Sequence, residues 1–442
     1  MVAKLYTFQE SLDYLLSLGN EVSAMKLGLE NIRRLLVELG DPQDNYIKVQ
    51  VAGTNGKGSV CAFLDSICNT AGIKTGTFTS PHLVSITERI RINGADISED
   101  DLARHATFVR ETAESLLGKG ELEYRPTFFE QITAIGLVAF AEAKVDVAIL
   151  ETGLGGRLDA TTAANAEIAV ITRIDFDHQE YLGETIEEIT AEKAAIITAE
   201  TRDVILGDQS REVMRLLRKH CSDLGIEPLN DEYEPWRTLS NGDGTVKVGM
   251  SLIDFPPIRL GLKGKHQIEN AQTALQAARA LLYHGRFLDC ESDEEEVRIL
   301  EGLQNAWHPG RLEFRGQYLF DGAHNIGGAI ALRDFLDETG DNPITMIFGA
   351  MKDKNVAAIL EILLPKAERL ILTKPANQRA LTAEQIVRLL PNNYDRERVI
   401  LTETAAEAFE KANEFNNDGI ILVTGSLYLV GEISALTKAI HK

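Results

Sequence analysis

The sequence predicts an α/β protein made of two parallel-sheet domains, a larger one followed by a smaller one. Three observations predict it. The run Val49-Gln50-Val51-Ala52 has strand character and ends in the glycine-rich turn Gly53-Thr54-Asn55-Gly56-Lys57-Gly58-Ser59. From there, apolar runs of strand length alternate with stretches of helical periodicity, the pattern of βαβ units. After Trp307-His308-Pro309-Gly310-Arg311-Leu312-Glu313, a stretch with the Pro-Gly punctuation of a linker, that alternation begins again.

The chain has 442 residues and 44% hydrophobic content, enough for more than one core and too long for one domain of usual size. Its 67 acidic and 45 basic residues give a net charge of −22, which argues against nucleic acid or an anionic membrane surface as partner. Cys61, Cys68, Cys221 and Cys290 show neither C-x-x-C spacing nor the density of a disulfide scaffold, so a reducing cytoplasm is expected. Glu10 and Asp13 interrupt the first apolar stretch, and no window approaches 18 uninterrupted apolar residues. The expectation is a soluble, unexported protein.

Residues 5–18 and 29–39 have helical spacing, with a short loop through Met25-Lys26-Leu27-Gly28-Leu29 between them. The glycine-rich turn then reads as a phosphate cradle. Its glycines let backbone N–H groups approach an anion, and Val60, Phe63, Leu64 and Ile67 continue as a helix whose N-terminus faces that anion. Lys57 would supply a point charge and Ser59 a Mg²⁺ ligand. The common pattern G-x-x-x-x-G-K-[ST] is not met, because its first glycine falls on Val51 and its hydroxyl on Gly58.

Lys74 to Thr79 predicts the next strand, leading into Ser80-Pro81-His82; Ser80 is held extended by Pro81 and either aims a hydroxyl at a metal or simply exits the strand. Glu88 to Gly94 alternates and closes on an Asn-Gly turn signal. Ser98 and Asp101 fit a capping box. The stretch 127–143 predicts a buried helix that starts at Thr127-Phe128-Phe129-Glu130, where the rings serve either the core or a flat ligand.

Val145 to Leu150 reads as a strand buried on both faces, and it delivers Glu151 at its carboxyl end, where α/β proteins place ligands. Another strand, Glu167 to Thr172, runs into Asp175-Phe176-Asp177-His178, and Thr185 with Glu188 opens a helix containing Lys193. Residues 203–262 read as strand, helix and short hairpins with a turn at Asn241-Gly242-Asp243-Gly244. Gly264-Lys265-His266 opens a helix to about residue 284, and Glu291 to Glu296 reads as a solvated helix face. Strands near 317–321, 344–349, 369–373 and 419–424 build the second sheet, the first ending in Asp321-Gly322-Ala323-His324-Asn325.

Taken together, Gly53–Ser59, Ser80-Pro81-His82, Glu151 through Asp159-Ala160-Thr161, Asp177-His178, Glu192-Lys193-Ala194, His266-Gln267 with Asn270, Pro309-Gly310-Arg311, Asp321–Asn325 and Thr424-Gly425-Ser426 resemble the folylpolyglutamate synthase and dihydrofolate synthase branch of the Mur ligase superfamily. That resemblance implies a P-loop ATPase domain over residues 1–307 and a Rossmann-like ligase domain over 308–442. It implies an ATP-dependent acid–amino-acid ligase that joins L-glutamate to dihydropteroate and to reduced folates through an acyl phosphate, with ATP and Mg²⁺ as cofactors and a cytoplasmic monomer as the working form.

By position, the resemblance gives Asn55, Gly56, Lys57, Gly58, Ser59, Asn270, Arg311 and Asp321 to ATP, the last two reaching from the linker and the C-terminal domain. It gives Ser59, Ser80, Glu151 and His178 to Mg²⁺, and matches Lys193 to a lysine that the family carbamylates. Lys57, Lys193 and His178 carry the chemistry. Lys26, Leu27, Gly28 and Leu29, then Thr127, Phe128, Phe129 and Glu130, then Leu158, Asp159 and Ala160 match its pterin pocket. Two departures stand out: Thr162 where the family has asparagine, and Lys193-Ala194-Ala195 where glycine is common.

The competing classes are a ligase that polyglutamylates folates only, a muramoyl-peptide ligase, a P-loop kinase and a non-catalytic nucleotide-binding regulator. A muramoyl-peptide ligase is expected to place a further domain ahead of its phosphate loop, where this sequence has about 50 residues. A kinase leaves the second sheet and Asp321 without a use, and a regulator does the same for Glu151, His178 and Lys193.

Overall fold

The computed structural model describes residues 5–19, 28–229, 237–238, 245–247, 257–285, 293–340, 342–415 and 419–440. The chain divides into two compact units: Met1–Glu232 with Asn270–Ala306, and Tyr233–Glu269 with Trp307–Lys442.

In the first unit, helices α1 (Phe8–Ser17) and α2 (Glu30–Glu38) precede strand β1 (Ile47–Ala52), as the apolar spacing predicts. The order continues α3 (Lys57–Thr70), β2 (Thr75–Phe78), β3 (Ile90–Ile92), β4 (Ala95–Asp96), α4 (Glu99–Gly118), α5 (Phe128–Ala143), β5 (Val147–Glu151), β6 (Ile168–Ile171), α6 (Gln179–Leu182), α7 (Ile186–Ala194), β7 (Asp203–Leu206) and α8 (Arg211–Asp223). The seven strands lie in the order β4-β3-β2-β5-β1-β6-β7. β1 is central, pairs in parallel with β5 and β6, and is buried along nearly its whole length.

One edge departs from the expected parallel sheet: β3 runs antiparallel to both β2 and β4. The β3–β4 pairing has a local cause: Asn93 and Gly94 both have positive φ, 52° and 79°, the conformation of a two-residue hairpin turn that sends the chain straight back.

The core of this unit is led by α5, whose residues Ile132, Ala134, Ile135 and Phe140 are buried with Phe78 and Ile90 from the sheet. Side chains cap most of its helices. Thr7 with Glu10, Thr127 with Glu130 and Thr185 with Glu188 form capping boxes on α1, α5 and α7. The helix after the phosphate loop differs: α3 has Gly56 as its N-cap and no side-chain cap.

Short antiparallel strands β8 (Arg237–Thr238), β9 (Thr245–Lys247) and β10 (Ile258–Arg259) follow, then α9 (His266–Gly285) and α10 (Asp293–Asn305). The turn Asn241–Gly244, Lys26 and Leu27, Cys290, and Glu291 and Ser292 of the acidic run lie outside the described residues. The rest of that run opens α10.

The second unit carries β11 (Glu313–Arg315), β12 (Tyr318–Phe320), α11 (Ile326–Glu338), β13 (Ile344–Phe348), α12 (Val356–Leu363), β14 (Arg369–Leu372), α13 (Ala383–Val387), β15 (Val399–Leu401), α14 (Ala405–Phe415), β16 (Ile420–Thr424) and α15 (Leu427–Ile440). Its sheet runs β11-β12-β16-β13-β14-β15, parallel apart from β11. The four strands expected from sequence are all present. β11 and β15 add an edge each, both three residues long and lined by charged neighbours that hide a strand signal. Among the described residues no helix is long and apolar enough to cross a membrane.

Candidate active site

The carboxyl edge of the first sheet gathers the phosphate loop and Glu151 because parallel strands deliver their ends to one side. β1 ends at Ala52 and releases the loop 53–56. Gly53 lies against Thr172, just past β6, where a Cβ would come 2.0 Å from the threonine hydroxyl. Gly56 has φ +91° and lies against Asn270, where a Cβ would come 2.3 Å from Oδ1. Only glycine fits both places, and the second brings Asn270 onto the loop.

The first half of this loop is tied down. The Thr54 and Asn55 amides donate to the Arg173 carbonyl at 2.8 and 3.1 Å. Thr54 Oγ1 donates to the Asp175 carbonyl and accepts from the Asp175 amide, both at 3.0 Å. The second half, Lys57-Gly58-Ser59, is the first turn of α3, and its amides point out of a helix without a side-chain cap. Lys57 curls back over the loop, its Nζ donating to the Gly53 and Thr54 carbonyls at 3.2 and 3.3 Å. Ser59 is buried in that same turn.

The register of β1 on β5 sets Val51 beside Glu151. The Glu151 carboxylate is buried, and its Oε2 accepts from the Ser80 amide at 3.1 Å, so these two proposed metal ligands meet. Cys61, one turn into α3, senses both site charges. Burial pushes its thiol up, the Glu151 charge pushes it further, and Lys57 opposes.

Lys193 reaches the same place from α7. It is 4% exposed, and its Nζ donates to the Gly53 carbonyl at 2.9 Å. The loop after Glu151 packs directly on that helix end. A Cβ on Gly156 would lie 2.7 Å from the Glu192 carbonyl oxygen and 3.0 Å from that of Lys193. The Arg157 amide donates to the Glu192 carbonyl at 3.0 Å, and its guanidinium pairs with the Glu192 carboxylate. His178 follows the Asp175 segment that Thr54 grips. It has φ +51°, and its backbone amide is capped by Asp177 Oδ1 at 2.8 Å.

These donors fit a hard cation: a carboxylate, two serine hydroxyls and one imidazole, beside a helix end and a lysine that would hold phosphates. Among the described residues no group of three or more His, Cys, Asp or Glu side chains is gathered.

The stretches matched to a pterin pocket behave differently from one another. Thr127 and Glu130 cap α5 mutually, the Thr127 amide donating to Glu130 Oε2 at 2.8 Å and the Glu130 amide to Thr127 Oγ1 at 3.2 Å. The other Glu130 oxygen, Oε1, is buried and finds no hydrogen-bond partner among the described residues, and burial raises this carboxyl. Phe128 is buried beneath the Arg89 guanidinium, 5.2 Å from its ring centre. Phe129 meets Phe78 edge-on at 5.9 Å and lies over Gly153, where a Cβ would touch its ring at 2.6 Å. Leu29 is buried in the core, whereas Leu158 is exposed. Asp159 turns inward: Oδ2 accepts from the Gly153 and Leu154 amides at 2.9 and 3.0 Å, and Oδ1 accepts from the Thr161 amide and hydroxyl at 3.0 and 2.6 Å. Its carboxylate shapes the loop, with Ala160 buried behind it.

In the second unit, Asp321 follows β12 and is buried. Its Oδ2 accepts from the Leu312 amide and its Oδ1 from the Ala323 amide, both at 3.0 Å. Leu312 has φ +45°, so this carboxylate holds a strained turn directly after Arg311. Burial raises the Asp321 carboxyl, and Arg311 opposes. His266 is lowered to about 4, by burial first and then by Arg311.

Sequence reasoning missed Thr172 and Arg173, which brace the phosphate loop from the sheet, and Gln50, which braces the segment after Glu151. A buried polar residue within an apolar strand, Gln50 between Val49 and Val51, was the available signal.

Known proteins share this arrangement. The family model described as Mur ligase middle domain matches residues 51–278, and that described as Mur ligase, glutamate ligase domain matches 310–427. A Haloferax volcanii protein named "Probable bifunctional folylpolyglutamate synthase/dihydropteroate synthase" is 32% identical over 96% of this chain, which spans 50% of that relative's length. The Mycobacterium tuberculosis dihydrofolate synthase/folylpolyglutamate synthase is 32% identical over 92% of this chain and 89% of its own. A solved bifunctional folylpolyglutamate synthase/dihydrofolate synthase with Mn, AMPPNP and L-glutamate bound superposes with a TM-score of 0.80 at 27% identity, covering 99% of this chain and 98% of that one. With both family models matched in order and a relative 32% identical over nearly the whole length, the chain belongs to the folylpolyglutamate synthase/dihydrofolate synthase branch of the Mur ligase family.

Proposed function

We propose that the chain is an ATP-dependent ligase that adds L-glutamate to dihydropteroate and to the γ-carboxylate of reduced folates. The observation that carries the reading is the convergence on Gly53: a phosphate loop opening an uncapped helix, with Glu151 on the neighbouring strand and Lys193 bonded to the loop's own carbonyl. The solved relative that holds Mn, AMPPNP and L-glutamate supports the substrate set. The dihydropteroate synthase half named for the Haloferax relative would supply the first acceptor, which supports dihydropteroate as a substrate.

In this reading the acceptor carboxylate attacks the γ-phosphorus, ADP leaves, and the glutamate amine displaces phosphate from the resulting acyl phosphate. The amides of the first turn of α3 and Lys57 hold the β- and γ-phosphates and neutralise the charge that gathers there. Ser59, Ser80, Glu151 and His178 would hold Mg²⁺, which supplies further neutralisation of the phosphates. Arg311 and Asp321 are assigned to ATP in this reading.

Lys193 is carbamylated in the working enzyme. A free ammonium beside Glu151 would oppose a dication, whereas addition of CO₂ to the neutral amine gives a carbamate with two oxygen donors.

The test is ADP release with L-glutamate and either dihydropteroate or tetrahydrofolate, with the product identified by mass. Addition of one glutamate to each acceptor is expected. Activity with tetrahydrofolate alone would reduce the chain to a polyglutamylating ligase, and activity with neither would overturn the reading.

A further inference from the structure

We propose that Gln50 is a positioning residue for the acceptor side of the site, acting through Thr162. The inference rests on the proposed function only in naming what the positioned loop binds; the tie itself is a matter of hydrogen bonds.

Gln50 is 1% exposed in a central strand buried on both faces, where an apolar side chain is the rule. A buried amide costs free energy unless it is paired. Its NH₂ has two protons, and the two short contacts are to Thr162 Oγ1 at 2.7 Å and Thr161 Oγ1 at 2.9 Å, with Thr152 Oγ1 more distant at 3.4 Å. Each hydroxyl passes the bond onward. Thr162 donates to the Gly156 carbonyl at 2.8 Å, and Thr161 donates to Asp159, which itself gathers the Gly153 and Leu154 amides. On the strand side, then, one amide on β1 ties both hydroxyls that hold the end of segment 152–162, while Arg157 fastens its middle to Glu192 on α7.

In the proposed function that segment carries part of the acceptor side. It starts from Glu151, carries Leu158 to Ala160, lies under the Phe129 ring at Gly153, and touches the Lys193 carbonyl at Gly156. The phosphate loop has further ties, to Arg173 and Asp175, and lies against Asn270; Lys193 is the residue it shares with the other segment. Loosening Gln50 or Thr162 should thus shift the acceptor segment and leave the nucleotide segment in place. The departure at Thr162 acquires a role: its hydroxyl accepts from Gln50 and donates to Gly156, and the strand partner and the loop are matched to each other.

The experiment compares Thr162→Val, Thr162→Ser and Gln50→Leu with the wild type. For Thr162→Val and Gln50→Leu the KM for the pteroate or folate acceptor should rise about tenfold, the scale of one buried hydrogen bond left unmade, with the KM for ATP within about twofold. Thr162→Ser, which keeps the hydroxyl, should restore the acceptor KM. In parallel, hydrogen exchange should quicken at residues 153–162 and not at 53–59 in Thr162→Val, a near-isosteric change chosen to keep the fold. An unchanged acceptor KM, or a fall in kcat alone, would overturn the assignment. If the wild type releases no ADP with either acceptor, the proposed function falls, and the exchange measurement alone then decides the tie: unchanged exchange at 153–162 overturns it.

Discussion

The Lys193 ammonium donates to the Gly53 carbonyl at 2.9 Å, across 140 positions of sequence. A lysine on the last turn of a short helix thus touches the first residue of the phosphate loop. Such a placement makes its chemical form matter, since whatever charge it carries is delivered to the glycine-rich loop itself.

Lys193→Ala should lower ligation at least about a hundredfold, the scale of removing one preorganised charge from such a site. Acetate should recover part of the loss, because a small carboxylate can fill the vacated volume and offer oxygens in place of a carbamate. Rates are measured across an acetate series, with chloride as control. Full activity of the variant without acetate would remove Lys193 from the mechanism.

Lys57→Ala should abolish most activity with little change in melting temperature. Its side chain bonds two loop carbonyls, one of which, that of Gly53, keeps Lys193 as a donor, so the folded state loses little. Its charge matters once phosphates arrive, and a loss of about 10²–10³ in kcat is expected. Near-normal turnover at saturating ATP would make the lysine incidental.

Asp321→Ala should cost both stability and ATP affinity. Two buried amides, Leu312 and Ala323, would lose their acceptor, at about 1–3 kcal/mol each. The positive-φ turn at Leu312 would relax and release the neighbouring Arg311. Chemical denaturation and ATP titration should move together; an unchanged ATP affinity in a destabilised variant would confine Asp321 to a structural part.

The protein should lose stability in acid through His266. Its folded value is about 4, against roughly 6.5 when unfolded, because burial and the Arg311 charge disfavour the imidazolium, with Asp334 opposing weakly. A lowered folded value means that the unfolded chain takes the proton first as pH falls. The contribution is therefore present above about pH 6.5 and is lost between there and about pH 4. Melting curves at pH 7 and pH 5 should show a smaller drop for His266→Gln than for the wild type. An equal drop would place the acid sensitivity elsewhere.

Local signals carried much of this architecture. Val49 to Ser59 announced its strand, loop and helix through glycine placement, and Asn93-Gly94 announced its hairpin turn, though not that this hairpin would become the antiparallel edge of the sheet. Glu151 was legible because an apolar run ended on it. What the sequence hides is which distant side chains meet. Nothing near Lys193 distinguishes it from a solvated helix lysine; its burial comes from the way α7 packs under the loop after Glu151. Asp159 shows the opposite case: beside glycines it resembles a ligand contact, and the fold uses all of its acceptor capacity within its own loop. Gln50 is the plainest case, a polar residue whose partners lie more than 100 positions away.

The uncapped start of α3 has a thermodynamic consequence. The helices α1, α5 and α7 close their first turns with their own threonines and acids, whereas α3 starts at Gly56 with no side-chain cap, an end suited to an anion. A nucleotide bound there finishes a piece of secondary structure, so affinity and folding share one free energy: at about a hundred times its Kd such a ligand adds about 2.7 kcal/mol to stability. Substrate supply would then set how long the chain survives as well as how fast it works.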